Sequence, residues 1–208
     1  EEIRYYSLED VVKGGYQREQ PKDKITLVHD ALLMGLQDYF GKLGLKKAIL
    51  GLSGGIDSAV TAVMATRALG AENVRVVLMP SSFSSTHSVE DAKALAENLG
   101  IRYDIIPIAS PYDAFLSLLA PVMEGKPFDV TEENIQARCR AIILMAISNK
   151  HGNILLNTTN KSEMAVGYGT MYGDLAGGLS VLADIYKTEI YQLADYINKD
   201  GEVIPQNS

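Results

Sequence analysis

Residues 48–58 read Ala-Ile-Leu-Gly-Leu-Ser-Gly-Gly-Ile-Asp-Ser, an apolar run that breaks at Leu52 into a two-glycine turn. The stretch after it, Ser58–Leu69, is alanine-rich, has helical composition and stops at Gly70. An apolar run without alternation is a strand covered on both faces, so this is a strand–turn–helix unit. Gly54 and Gly55 let the backbone curl tightly and aim several N–H groups at one point. The helix that opens near Asp57 adds its unpaired N–H groups and the positive end of its dipole. Such a turn is an anion cradle, and a phosphate chain is its natural guest. Asp57 would repel that guest unless a cation sat between them, so the motif asks for Mg²⁺ as well, an ion commonly held by one or two carboxylates plus phosphate oxygens.

The rest of the chain repeats the strand–helix alternation. Ile25, Val28, Leu32, Leu36 and Phe40 keep helical spacing up to the glycines at 41 and 44. Val74–Met79, Ile101–Ile108 and Asn153–Asn157 read as strands, and a helix lies between the first two, with Ser88 as its expected cap and Asp91 three residues on. Alternation of this kind predicts an α/β fold, a parallel doubly wound sheet with helices on both faces. Ligands in such folds sit beside the switch point, at the carboxyl ends of the strands. The segments 53–58, 80–87 and 158–163 all follow strands, so they should share that rim. Residues 1–23, with Gly14-Gly15 and Pro21, read as an extended lead-in or linker, and 24–208 as the folded domain.

Composition excludes several classes. A net charge of −7 disfavours nonspecific nucleic-acid binding, which needs a basic face. No apolar run approaches the ~20 residues of a membrane span, and the acidic start is no signal peptide, so a cytoplasmic protein without a membrane partner is expected. Cys139, the single cysteine, excludes an internal disulfide and reads as a buried, inert thiol. His29, His87 and His151 are scattered and show no metal-ligand spacing.

Two further stretches carry chemistry. In the helix 133–150, Ile135, Cys139, Ile142, Ile143 and Ala146 form a stripe, while Ala141, Leu144 and Met145 make it apolar nearly all round. Such a helix is buried on more than one side, so 110–150 should form a layer packed against a second subunit. Asn134 and Arg138, four apart, share the remaining face and should line a cleft. From Asn157 a strand ends in hydroxyls, a short helix begins with Glu163 early in it, and a glycine-rich loop fills 167–178. Lys187 then opens an amphipathic helix carrying Ile190, Leu193, Ala194 and Ile197.

Ser53-Gly-Gly-Ile-Asp-Ser58 resembles the S-G-G-x-D-S loop of the ATP pyrophosphatase (PP-loop) superfamily, the adenine nucleotide alpha hydrolase-like fold. Asn134-Ile-Gln-Ala-Arg138, Thr158-Thr-Asn-Lys-Ser-Glu163 and Tyr172-Gly-Asp-Leu-Ala-Gly-Gly178 follow in an order and spacing similar to NAD⁺ synthetase, over roughly residues 25–205. The phrase Leu182-Ala-Asp-Ile-Tyr-Lys187-Thr is more similar to the glutamine-dependent branch, whose amidase domain is expected as a partner. The resemblance implies ATP-dependent amidation of deamido-NAD⁺ through an adenylate, with AMP and pyrophosphate released and ammonia as the nitrogen source. It implies that Gly51, Leu52, Ser53, Gly54, Gly55, Asp57, Ser58, Leu78, Met79, Thr158 and Lys187 meet ATP. Asp57 and Glu163 would hold Mg²⁺. Asn134, Arg138, Glu163, Tyr168, Gly169, Thr170, Met171 and Asp174 would hold deamido-NAD⁺, and Lys187, Asp57 and Asp174 would act in catalysis.

The sequence departs from the ammonia-only branch at Met171 and Gly178, so substrate contacts there do not carry over. It also stops at Val203-Ile-Pro-Gln-Asn-Ser208, before the segment that family members close over their ligands. The alternative readings are the synthetase half of a GMP or asparagine synthetase and a nonenzymatic nucleotide-binding module.

Overall fold

The structure is a computed structural model that describes residues 7–12, 22–81 and 84–206. Five parallel strands form one sheet in the order β3-β2-β1-β4-β5: β1 Ala48–Gly51, β2 Val74–Leu78, β3 Arg102–Ile105, β4 Ile154–Asn157 and β5 Leu179–Ser180. Strand order reverses between β1 and β4, whose register pairs Ala48 with Ile154 and Ile49 with Leu155. The segments leaving β1 and β4 therefore diverge to opposite sides and open a crevice at the sheet's carboxyl edge.

Side chains alternate across this sheet and find apolar partners on both faces. Leu50, Val76, Leu78 and Leu156 pack with Leu36 and Phe40 of α2 (Lys24–Lys42), most of α3 (Ile56–Leu69), Leu95 of α4 (Thr86–Leu99) and Ile190 and Leu193 of α8 (Lys187–Asn198). Ile49, Val77 and Leu155 point the other way, onto Tyr112 of α5 (Ala109–Met123) and Cys139 and Leu144 of α6 (Val130–His151). This two-sided burial explains why the strands are apolar without interruption. Helix α3 contacts α2, α4 and α8 as well as the sheet, and residues 58–65 are all buried. Its alanines at 59, 62 and 65 let those neighbours approach closely.

The expected elements are present, with corrections at their ends. Helix α4 is capped by Ser85, whose side chain accepts from Ser88 N–H, so the cap lies three residues before the expected Ser88. The strand expected over 101–108 is only four residues long: β2, with which it pairs, ends at Leu78, opposite Ile105. Within the expected lead-in, Leu8–Val12 forms a short helix, α1; residues 1–6 and 13–21 lie outside the described residues, as do 82–83 and 207–208. Helix α6 buries Cys139, Ala141 and Leu144, but Ile142 and Ala146 face outward rather than into the core. The reason is rotation: residues 142 and 146 lie on the side opposite 144. Burial pushes the Cys139 thiol pKa up, which keeps it protonated and inert as expected.

The edge strand is tied on by charge. Arg75 of β2 donates through Nε to Asp104 of β3 at 2.6 Å, and this bond holds the Asp104 carboxyl below its ordinary 3.8. A depressed folded-state pKa stabilises the fold above 3.8, and that contribution drains away as pH falls through the lowered value. Asp104→Asn should therefore cost roughly 1 kcal/mol in urea unfolding near neutral pH. The deficit should narrow as the pH is taken below 3.8. A deficit independent of pH would contradict this assignment.

Candidate active site

The turn after β1 closes on itself through its two serines. Ser58 Oγ donates to Gly55 C=O at 2.9 Å and accepts from Ser53 N–H at 3.2 Å, while Ser53 Oγ accepts from Gly55 N–H at 3.2 Å. The first i→i−4 bond of α3 runs from Ala59 N–H to Gly55 C=O, which leaves the N–H groups of Ile56, Asp57 and Ser58 without helical acceptors. Gly54 has φ +85°, and a Cβ there would lie 2.4 Å from the Ser88 carbonyl oxygen of α4. No side chain fits. The loop is pressed under α4 by the absence of one, and its N–H groups stay fixed at the crevice mouth.

Asp57 is the hub of the site. Lys187, first residue of α8, binds Asp57 Oδ2 through Nζ, and Asn160 Nδ2 donates to Asp57 Oδ1 at 3.0 Å. Asn160 is fully buried. It also caps α7 (Lys161–Val166): its Oδ1 accepts from Glu163 N–H, and Glu163 Oε2 accepts from Asn160 N–H, each at 3.0 Å. This reciprocal capping box fixes both side chains. Lys187 is placed by two further bonds, from its N–H to Ser162 Oγ at 3.0 Å and from Lys161 N–H to Ile185 C=O at 3.0 Å. Three turns distant in sequence thus meet around one carboxylate.

Two adjoining cavities open from this hub. The larger, about 410 Å³, runs from Gly51, Leu52, Leu78 and Met79 to Ser53, Ser58 and Thr158. The smaller, about 160 Å³, is bordered by Asp57, Glu163, Thr158, Tyr168 and Asp174. Asp174 and Thr158 line both, so the two spaces meet there. The pair Asp57 and Glu163 supplies hard carboxylate oxygens on one wall, a donor set suited to Mg²⁺ once phosphate and water oxygens complete the shell. No group of three or more His, Cys, Asp or Glu side chains able to hold a metal occurs among the described residues.

The expected dinucleotide residues come together on the loop 167–178. Asn134 Oδ1 accepts from Thr170 Oγ1 at 2.7 Å, Arg138 Nε donates to Met171 C=O at 3.3 Å, and Asp174 accepts from Thr170 N–H. Gly169 packs under Leu175. Asn134 and Arg138 therefore anchor the loop from α6; they border neither of the two cavities, whose α6 wall is built by Ala137, Arg140 and Ala141 instead. Tyr168 and Met171 stand out from it, 74% and 64% exposed.

Three participants escaped the sequence reading. Asn160 was legible as the residue three before Glu163, the spacing of a capping box. Asn157 holds the loop from below, donating through Nδ2 to the Asp174 carbonyl at 2.7 Å. Arg140 lines the larger cavity and donates through Nε to Met79 C=O at 3.2 Å. Burial lowers its pKa. It lies two residues beyond Arg138, about 200° round the helix, so it serves a different wall.

Comparison with known proteins places the chain in a family. Residues 28–207 match the NAD synthase family. Over 179 residues the chain is 52% identical to the glutamine-dependent NAD(+) synthetase of Thermotoga maritima, covering 85% of this chain and 31% of that one. The solved glutamine-dependent NAD+ synthetase of Acinetobacter baumannii, in complex with ADP, superposes with a TM-score of 0.89 at 44% identity, covering 92% of this chain and 36% of that one. The NH3-dependent NAD synthetase of Campylobacter jejuni, in complex with nitrate, gives 0.78 at 36% identity, covering 88% and 77%. The chain spans about a third of the length of the glutamine-dependent relatives it matches. With the match running over nearly all of its length, the chain belongs to the NAD synthase family.

Proposed function

We propose that this chain is the synthetase unit of an enzyme that amidates deamido-NAD⁺ to NAD⁺, with ATP consumed to AMP and pyrophosphate. The observation that carries this reading is that Ser53 and Ser58 of the glycine loop border two adjoining cavities, one sized for a nucleotide and one bordered by Asp57, which Lys187 binds, and by the loop that Asn134 and Arg138 anchor. The larger cavity receives ATP, its base toward Leu78 and Met79 and its phosphates on the N–H groups of residues 54–58. Deamido-NAD⁺ lies along the loop 167–178, with Tyr168 as a platform and its nicotinate carboxylate near the junction.

No side-chain nucleophile is needed, because the substrate carboxylate attacks the α phosphate and pyrophosphate leaves. The obstacle is anion meeting anion: at an effective dielectric of 20, two unit charges ~4 Å apart repel by about 4 kcal/mol. Mg²⁺ bound through Asp57, and through Glu163 where it can leave its cap, would neutralise phosphate charge. Lys187 supplies the second remedy. Paired with Asp57 before ATP arrives, its Nζ is held at the loop mouth and can transfer to a phosphate oxygen when the carboxylate turns to the metal. Asp174, on the wall shared by both cavities, borders the attacking group. Ammonia then displaces AMP from the adenylate. It comes free or from a glutaminase domain, the arrangement implied by the glutamine-dependent relatives.

The outer face of α5 and α6 supports a homodimer. Leu118 and Val122 are 74% and 72% exposed, and Phe128, Val130 and Ile142 are exposed as well. A second copy of the chain covers this face.

Supplied with ATP, Mg²⁺, deamido-NAD⁺ and ammonium, the protein should form AMP, pyrophosphate and NAD⁺. Lys187→Ala should reduce pyrophosphate release about 100-fold or more, the scale of losing one preorganised charge at a developing anion. AMP formation driven by xanthylate or aspartate instead would overturn the substrate assignment. Leu118→Asp should convert a dimer to a monomer in light scattering, and a monomeric wild type would refute the proposed interface.

A further inference from the structure

Arg140 stands outside the phosphate and dinucleotide machinery, yet the structure gives it a defined task. Successive carbonyls of an extended strand point alternately to its two sides. Along the end of β2, Val77 C=O accepts from Leu52 N–H toward β1, Leu78 C=O accepts from Ile106 N–H toward β3, and Pro80 C=O accepts from Ile108 N–H. By this alternation Met79 faces the β1 side. There β1 has already turned away at Ser53, and Met79 borders the larger cavity. Its N–H donates to no acceptor among the described residues, and its C=O receives only the Arg140 Nε, at 3.2 Å. A carbonyl has two lone pairs, so one remains for a ligand.

Met79 therefore offers, on one edge, a backbone donor beside a backbone acceptor. A 6-aminopurine presents the complement, a ring-nitrogen acceptor beside an amine donor. A 6-oxopurine presents the reverse, a ring N–H beside a carbonyl, and both of its groups would oppose those of Met79. We infer that Arg140 is a positioning residue for the nucleotide base: its Nε–Met79 bond fixes this peptide, which no neighbouring strand holds, and so sets the preference for ATP over 6-oxopurine nucleotides. The inference rests on the larger cavity being the ATP site.

The test is calorimetric titration of the protein with ATP and with ITP, which share the ribose and triphosphate and differ at the 6-position. Wild type should bind ATP at least about tenfold more tightly than ITP, the scale of one hydrogen bond exchanged for a mismatch. Arg140→Met keeps the apolar stem and removes the donor; it should weaken ATP about tenfold, leave ITP nearly unchanged and bring the ratio toward one. Arg140→Lys, which can still reach the carbonyl, should retain most of the preference. Thermal midpoints of the variants separate misfolding from lost recognition, since a merely structural role lowers both affinities and preserves their ratio. A preserved ratio in Arg140→Met, or equal wild-type affinities for the two nucleotides, overturns the inference while the ATP site stands. Failure of wild type to bind ATP at all overturns both.

Discussion

The site depends on one carboxylate shared among three distant turns. Asp57 sits on the turn after β1, Asn160 on the turn after β4, and Lys187 at the start of α8. This junction neutralises the Asp57 charge at the start of α3 and ties the three segments together. It is half-buried, and Asp57 borders the smaller cavity. Under the proposed function such a pair would exchange partners, the lysine for a phosphate and the aspartate for Mg²⁺, without either charge being left bare.

The geometry around that junction is set by the sheet. Because strand order reverses between β1 and β4, their following turns separate and leave room between them. The consequences reach Met79 as well: once β1 departs, the next peptide of β2 lacks a strand partner and becomes an edge that Arg140 supports. The proposed phosphate, metal and base sites would all derive from one topological divergence.

Much of this was legible in the sequence. Uninterrupted apolar strands implied a sheet covered on both faces, and the alternation of Ile49 and Leu50 between the two cores shows why. The tight two-glycine turn at Ser53–Ser58 was legible from residue types alone. What periodicity did not reveal were relations between segments. The Ser88 expectation failed because Ser85 and Ser88 are both plausible caps, and only the path of the chain decides between them. Asn134 and Arg138 were placed on one face correctly, but their acceptors on the loop were beyond reach, since Thr170 and Met171 belong to an irregular segment. Strand β5, two residues long, is too short to carry a period. Arg140 was passed over for a related reason: a lone arginine on an apolar helix gains meaning only from the carbonyl opposite it.

The most direct test is amide NMR of the protein titrated with Mg²⁺ and pyrophosphate. The account predicts the largest shifts at the N–H groups of Gly54, Gly55, Ile56, Asp57 and Ser58, together with a change at the Lys187 ammonium as it leaves Asp57. Saturable binding with those amides unmoved and the Lys187–Asp57 pair intact would contradict it.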